Sequence, residues 1–64
     1  MIEVVIERWD NFDGSVDFRW SLWRDGRRLH MNNEAFTSAE ACEEDARLFC
    51  RRGFGRDPDK VTRL

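Results

Sequence analysis

An Asp-Gly pair set between two alternating apolar runs is the strongest constraint on this chain. In FRWSLWRDGRRLHM, residues 18–31, Asp25-Gly26 suits a two-residue type I′ turn, where both central residues need positive φ. That turn sets a register: Arg24 opposite Arg27, Trp23 opposite Arg28, Leu22 opposite Leu29, Ser21 opposite His30 and Trp20 opposite Met31. Side chains alternate across a strand, so Phe18, Trp20, Leu22, Leu29 and Met31 form a core face. Arg19, Ser21, Trp23, Arg28 and His30 fall on the opposite face, polar except for one large ring.

The flanking segments extend this sheet. In IEVVIERW, Ile2, Val4 and Ile6 alternate with Glu3, Val5 and Glu7, the pattern of a half-buried strand that also leaves Val5 and Trp9 on the outer face. DNFDGS, residues 10–15, is rich in turn formers and closes a first hairpin onto the strand that begins near Val16. After Asn32-Asn33, Thr37-Ser38-Ala39-Glu40 matches a capping box, with Thr37 as the cap, and Gly53 suits the left-handed residue that ends a helix. Ala39, Cys42, Ala46, Phe49 and Cys50 make an apolar stripe at helical spacing, small enough to let the helix sit close to Trp20.

The expected fold is therefore α+β, a single domain over residues 1–64: a three-stranded antiparallel β-meander packed on one C-terminal helix. The strands span about 2–9, 16–24 and 27–32 and the helix about 38–52. The tail, 55–64, holds Lys60-Val61-Thr62-Arg63-Leu64, which suits either a short fourth strand or a mobile end. At 64 residues the core is small, and three Trp and five Phe supply its bulk. A homodimer would relieve that limit.

Several function classes lack the residues they need. There is one His and no Tyr; Ser15, Ser21 and Ser38 lie in no nucleophile motif, and the glycines form no phosphate loop. His30 beside Ser21 has no orienting acid on its face, so no enzyme is expected. Cys42 and Cys50 on one helix lie about 12 Å apart at 1.5 Å rise, too far for a disulfide, so two reduced thiols are expected. Neither these cysteines with His30 nor the acids of DNFDG match a metal-ligand spacing, and no cofactor motif occurs. No apolar run suits a membrane span and residues 1–15 lack signal-peptide character, which makes the cytoplasm the expected location.

The net charge of −2 conceals blocks. Residues 1–17 set five acids against Arg8, residues 18–33 four arginines against Asp25, residues 34–45 five acids against no base, and residues 46–64 six bases against two acids. Such blocks make patches of both signs, and patches steer association. Glu43 can pair with Arg47 at i, i+4, while Glu40 and Glu44 share a helix face and Glu34 precedes them. With Glu3, Glu7, Asp10, Asp13 and Asp17, they would present spaced carboxylates resembling a phosphate track. Trp9 and Trp23 on the outer sheet face add residue types enriched at binding hot spots, and Trp23 faces Arg28 at cation–π range.

Three strands followed by a helix that opens Phe36-Thr37-Ser38-Ala39-Glu40-Ala41 and continues through Asp45-Ala46 resemble two families. One is the AP2-type DNA-binding domain and its integrase relatives, which read the major groove from the free face of such a sheet. That resemblance implies Arg19, Trp23 and Arg28 as readers, with His30 on the same face. The other is the YegP-like family of small bacterial proteins of unknown function, whose glycine-turn hairpin resembles Trp23 to Leu29. The first resemblance conflicts with Glu3 and Glu7 on that face and with a negative overall charge. The leading expectation is thus a non-enzymatic protein that engages another protein through its acidic patches and Trp/Arg face. Its sharpest form is a phage-type inhibitor of a nucleic-acid-handling protein, imitating nucleic acid as some anti-CRISPR and anti-restriction proteins do. Direct DNA binding by the sheet is the alternative, and a dimer-forming structural protein the third reading.

Overall fold

A computed structural model describes residues 1–64. Its elements are β1 (Ile2–Asp10), β2 (Val16–Arg24), β3 (Arg27–Met31), α1 (Ala39–Phe54) and β4 (Lys60–Arg63). The sheet order is β3-β2-β1-β4. β1 pairs antiparallel with β2 along its whole length, from Ile2 opposite Arg24 to Asp10 opposite Val16. β4 is a full member of the sheet and lies parallel to β1, with Val61 opposite Val4. The meander is therefore extended to a four-stranded mixed sheet, and α1 is the crossover that carries the chain from one edge strand to the other.

The core is the contact between one sheet face and the small stripe of α1. Ile2, Val4, Ile6, Trp20 and Leu22 from the sheet meet Cys42, Ala46 and Cys50 from the helix, with Phe18, Phe36 and Val61 packed around them. Both thiols are free and buried, as their spacing predicts. Burial, aided by the Asp45 charge, pushes the Cys42 thiol up to about 11, and burial also raises Cys50. At pH 8 both are expected to react with a thiol reagent more than about tenfold slower in the native protein than in the denatured chain. Equal rates in the two states would show that the helix does not stay docked.

The turn at Asp25-Gly26 forms as expected: φ is 51° and 83°, both in the left-handed region that a type I′ turn requires. Arg24 faces Arg27 and Trp23 faces Arg28, but the register then shifts by one residue, so that Leu22 faces His30 and Ser21 faces Met31. A β-bulge at Leu29 is responsible, and one extra residue inverts every side chain beyond it. Leu29, expected in the core, is 51% exposed. Met31 moves to the outer face opposite Ser21, and His30 moves to the helix side, stacked on Phe49 with ring centroids 4.8 Å apart and 5.5 Å from Trp20.

The helix ends also differ from the expected positions. Ser38 is the cap, accepting from the Ala41 amide at 3.1 Å. At the other end Gly55, at φ 75°, is the left-handed residue, its amide donating to the Arg51 carbonyl, and Gly53 lies inside the helix. Either serine or threonine satisfies the orphan amides, and here the serine does. The tail is tied to β1 by hydrogen bonds at both of its ends. Asp59 accepts from the Ile2 amide at 2.7 Å and donates its own amide to the Ile2 carbonyl, Pro58 is buried, and Leu64 closes the ladder on Ile6.

Candidate functional site

One sheet face is covered by α1, and alternation along the strands sends the remaining side chains to the uncovered face. These are Glu3, Val5, Glu7 and Trp9 from β1, Asp17, Arg19, Ser21 and Trp23 from β2, Arg28 and Met31 from β3, and Lys60 and Thr62 from β4. Trp23 donates its indole N–H to Ser21 Oγ at 2.9 Å, and Ser21 is only 2% exposed. The ring thus seals the only buried hydroxyl of this face. Arg28 does not stack on Trp23; its Nη1 approaches Met31 Sδ at 3.8 Å. The cation–π contact of this face is instead Arg19 over Trp9, 4.8 Å from guanidinium carbon to ring centroid. Arg19 stands opposite Glu7 in register, yet its Nε is buried without a hydrogen-bond partner.

Of the residues proposed for this face, Trp9, Trp23, Arg19, Arg28, Glu3 and Glu7 share it. His30 does not, because the bulge at Leu29 places it on the helix side. Two Trp and Arg19 are preorganised there: Trp23 by Ser21, and Arg19 by Trp9. Such rigid aromatic and guanidinium groups lose little conformational freedom on binding.

The carboxylates are distributed differently from a phosphate track. Glu43 accepts from Arg47 Nε at 3.0 Å and from Arg63 Nη2 at 3.1 Å, and Glu40 lies 3.6 Å from Arg63. The arginine that joins them comes from β4, so the helix carboxylates are interleaved with cations on one surface formed by Glu40, Glu43, Glu44, Arg47, Arg51 and Arg63. Asp45 is structural, accepting from the Trp20 indole N–H and from Asn32 Nδ2. Glu3 accepts from Thr62, Asp10 lies beside Arg8, Asp13 accepts from Ser15, and Asp17 accepts from Asn11. Glu7, Glu34 and Glu44 take no side-chain donor, and they are dispersed over β1, the segment between β3 and α1, and α1.

Several of these bonds act on protonation. A hydrogen bond from Arg47, then Arg63, lowers Glu43 below the ordinary 4.5. The bond from Arg56, with that from the Ile2 amide, lowers Asp59 from 3.8 to about 2. Asp25 is lowered by the Met1 amino group and Asp13 by Ser15. A carboxylate with a depressed folded-state value contributes stability above its unfolded value and loses it as pH falls through the folded one. Stability is therefore expected to hold above pH 4.5 and to decline between pH 4.5 and about 2. The urea midpoint measured across that range checks this, and Asp59→Asn should flatten the lower part of the curve. A constant midpoint would mean the pairs are not formed.

No three His, Cys, Asp or Glu side chains converge as metal ligands, and no helix is long and apolar enough to cross a membrane. In comparisons with known proteins, no family model matches the chain, and neither a curated protein nor a solved structure gives a match.

Proposed function

We propose that this is a non-enzymatic binding protein that engages another protein through the uncovered sheet face. The observation that carries this reading is the Trp9–Arg19 stack on the same face as Trp23, with the buried Arg19 Nε lacking a partner. An unsatisfied buried donor costs free energy, and no group of this chain takes up that donor. Trp and Arg are also the residues on which interface energy concentrates. Glu7 gives the same face an unpaired carboxylate, whereas the helix carboxylates lie against Arg47 and Arg63 and so support imitation of nucleic acid less well.

The test is affinity capture from the source cell with the wild type, Trp23→Ala, Arg19→Ala and Glu44→Gln. A specific partner should be held by the wild type and Glu44→Gln and weakened by roughly thirtyfold or more in each sheet variant, as a hot spot of about 2 kcal/mol requires. Loss with Glu44→Gln and retention by both sheet variants would move the site to the helix. A second reading, duplex DNA on the same face, is favoured by one observation: Arg19, Arg28 and Lys60 have no carboxylate within ion-pair distance. Gel retardation at low salt decides it, since even non-specific cationic binding would be visible there.

A further inference from the structure

The two ends of β1 differ in chemistry. Nine residues of strand span about 27 Å, so Asp10 and Ile2 mark opposite poles of a molecule 38 Å long. At the Asp10 pole the first hairpin turn projects Phe12, fully exposed and touching no core residue, near Asp10, Asp13 and Asp17, with Arg8 beside Asp10 and Arg19 drawn over Trp9. At the Ile2 pole, Met1, Ile2, Phe54, Arg24 and Arg56 line a cleft of about 200 Å³. The acids of that pole are engaged, Asp25 by the Met1 amino group and Asp59 by Arg56, while Arg24 and Arg27 have no carboxylate partner. One pole is therefore an aromatic knob with an acidic collar, the other a cleft of mixed lining, Met1, Ile2 and Phe54 with Arg24 and Arg56.

We infer that the occupant of the cleft is Phe12 of a second copy of this chain. A cavity of roughly 150 Å³ is enough to hold benzene, so one phenyl ring fits the space. Arg24, free of any carboxylate, lies where it would meet the ring face as a cation–π partner. The collar of Asp10, Asp13 and Asp17 then lies against Arg24 and Arg27, which makes the contact complementary in charge. Because knob and cleft are at opposite ends, the contact is heterologous. Copies add head to tail, and each addition leaves one knob and one cleft free, giving rings or open chains in place of a closed two-fold dimer.

Sedimentation velocity over a concentration series tests this with the wild type, Phe12→Ala and Arg24→Glu, each first shown to be folded by circular dichroism. Phe12 contributes nothing to the core, so its removal leaves the fold unchanged. Wild-type protein should pass from monomer through dimer to larger species as concentration rises, and raising salt from 50 to 500 mM should shift that series to at least tenfold higher concentration. Each variant alone should stay monomeric at concentrations where the wild type assembles. Mixed in equal amounts, they should form a dimer and nothing larger, because Arg24→Glu keeps its knob, Phe12→Ala keeps its cleft, and the resulting pair has neither left. A wild-type monomer at millimolar concentration in 50 mM salt overturns the proposal. So does assembly by Phe12→Ala alone, or wild-type assembly that stops at two copies.

Discussion

Replacing Trp20 with alanine is expected to leave the protein unfolded at 25 °C. Trp20 is the largest fully buried side chain, 1% exposed, at the centre of the contact between β2 and α1. Its ring lies 5.2 Å from Phe49 and its indole N–H donates to Asp45. Truncating a buried Trp costs about 3–5 kcal/mol, while a 64-residue domain has a total stability of about 3–10 kcal/mol, with small cores near the lower end. The loss is of the same size as the whole. Far-UV circular dichroism with a urea titration reads the outcome. Trp9→Ala is the control: that ring is 41% exposed and should cost about 1 kcal/mol or less. A Trp20→Ala protein with a cooperative urea transition near the wild-type midpoint would mean the helix is not docked through this ring.

The second large effect belongs to a residue whose charge is not its main role. Asp45 Oδ2 accepts from Trp20 Nε1 at 3.0 Å and from Asn32 Nδ2 at 3.1 Å. It thereby ties β2, the segment after β3, and α1 to one oxygen. Asp45→Ala leaves the indole donor in the core without an acceptor, and Asn32 loses its anchor as well. An orphaned buried donor costs about 1–3 kcal/mol, more when the lost acceptor was charged, so about 2–3 kcal/mol is expected, half-buried Asn32 recovering part through water. Asp45→Asn keeps an acceptor oxygen and should restore more than half of the loss. Equal destabilisation by both substitutions, measured by urea midpoint, would show that the negative charge and not the hydrogen bond matters.

These two residues also separate what was legible in the chain from what was not. Trp20 is assigned to the core by alternation from the Asp25-Gly26 turn, and it lies there. Asp45 reads as one more acid in a run of acids, because nothing in its neighbours along the chain signals an indole across the helix–sheet gap. The same division runs through the candidate site. Trp9, Arg19 and Trp23 are placed on the outer face by period-two counting, but the partner of Arg19 is Trp9, a neighbour on β1, where counting along one hairpin offers Arg28 to Trp23. Glu40 looks unpaired in the chain because its counter-ion, Arg63, is on β4, which also brings a second cation to Glu43 beside Arg47. Phe12, an aromatic among turn-forming residues, carries a visible signal, an apolar ring at a position with no core to enter, but its environment is known only once the turn is seen to stand clear of the body.

The amino-acid order alone determined the elements whose physics is local: the two glycine-bearing turns, the alternation of β1 and β2, and a helix with small residues on its buried side. Turn dihedrals and the periods of strand and helix act over a few residues, so they are written in short windows. Only the tertiary structure decided the bulge at Leu29 that carries His30 to Phe49, the parallel docking of β4 beside β1, and which carboxylates remain free. Each of these depends on groups far apart in the chain coming to the same place, where stacking, ladder hydrogen bonds and ion pairs together outweigh the pattern of any one segment.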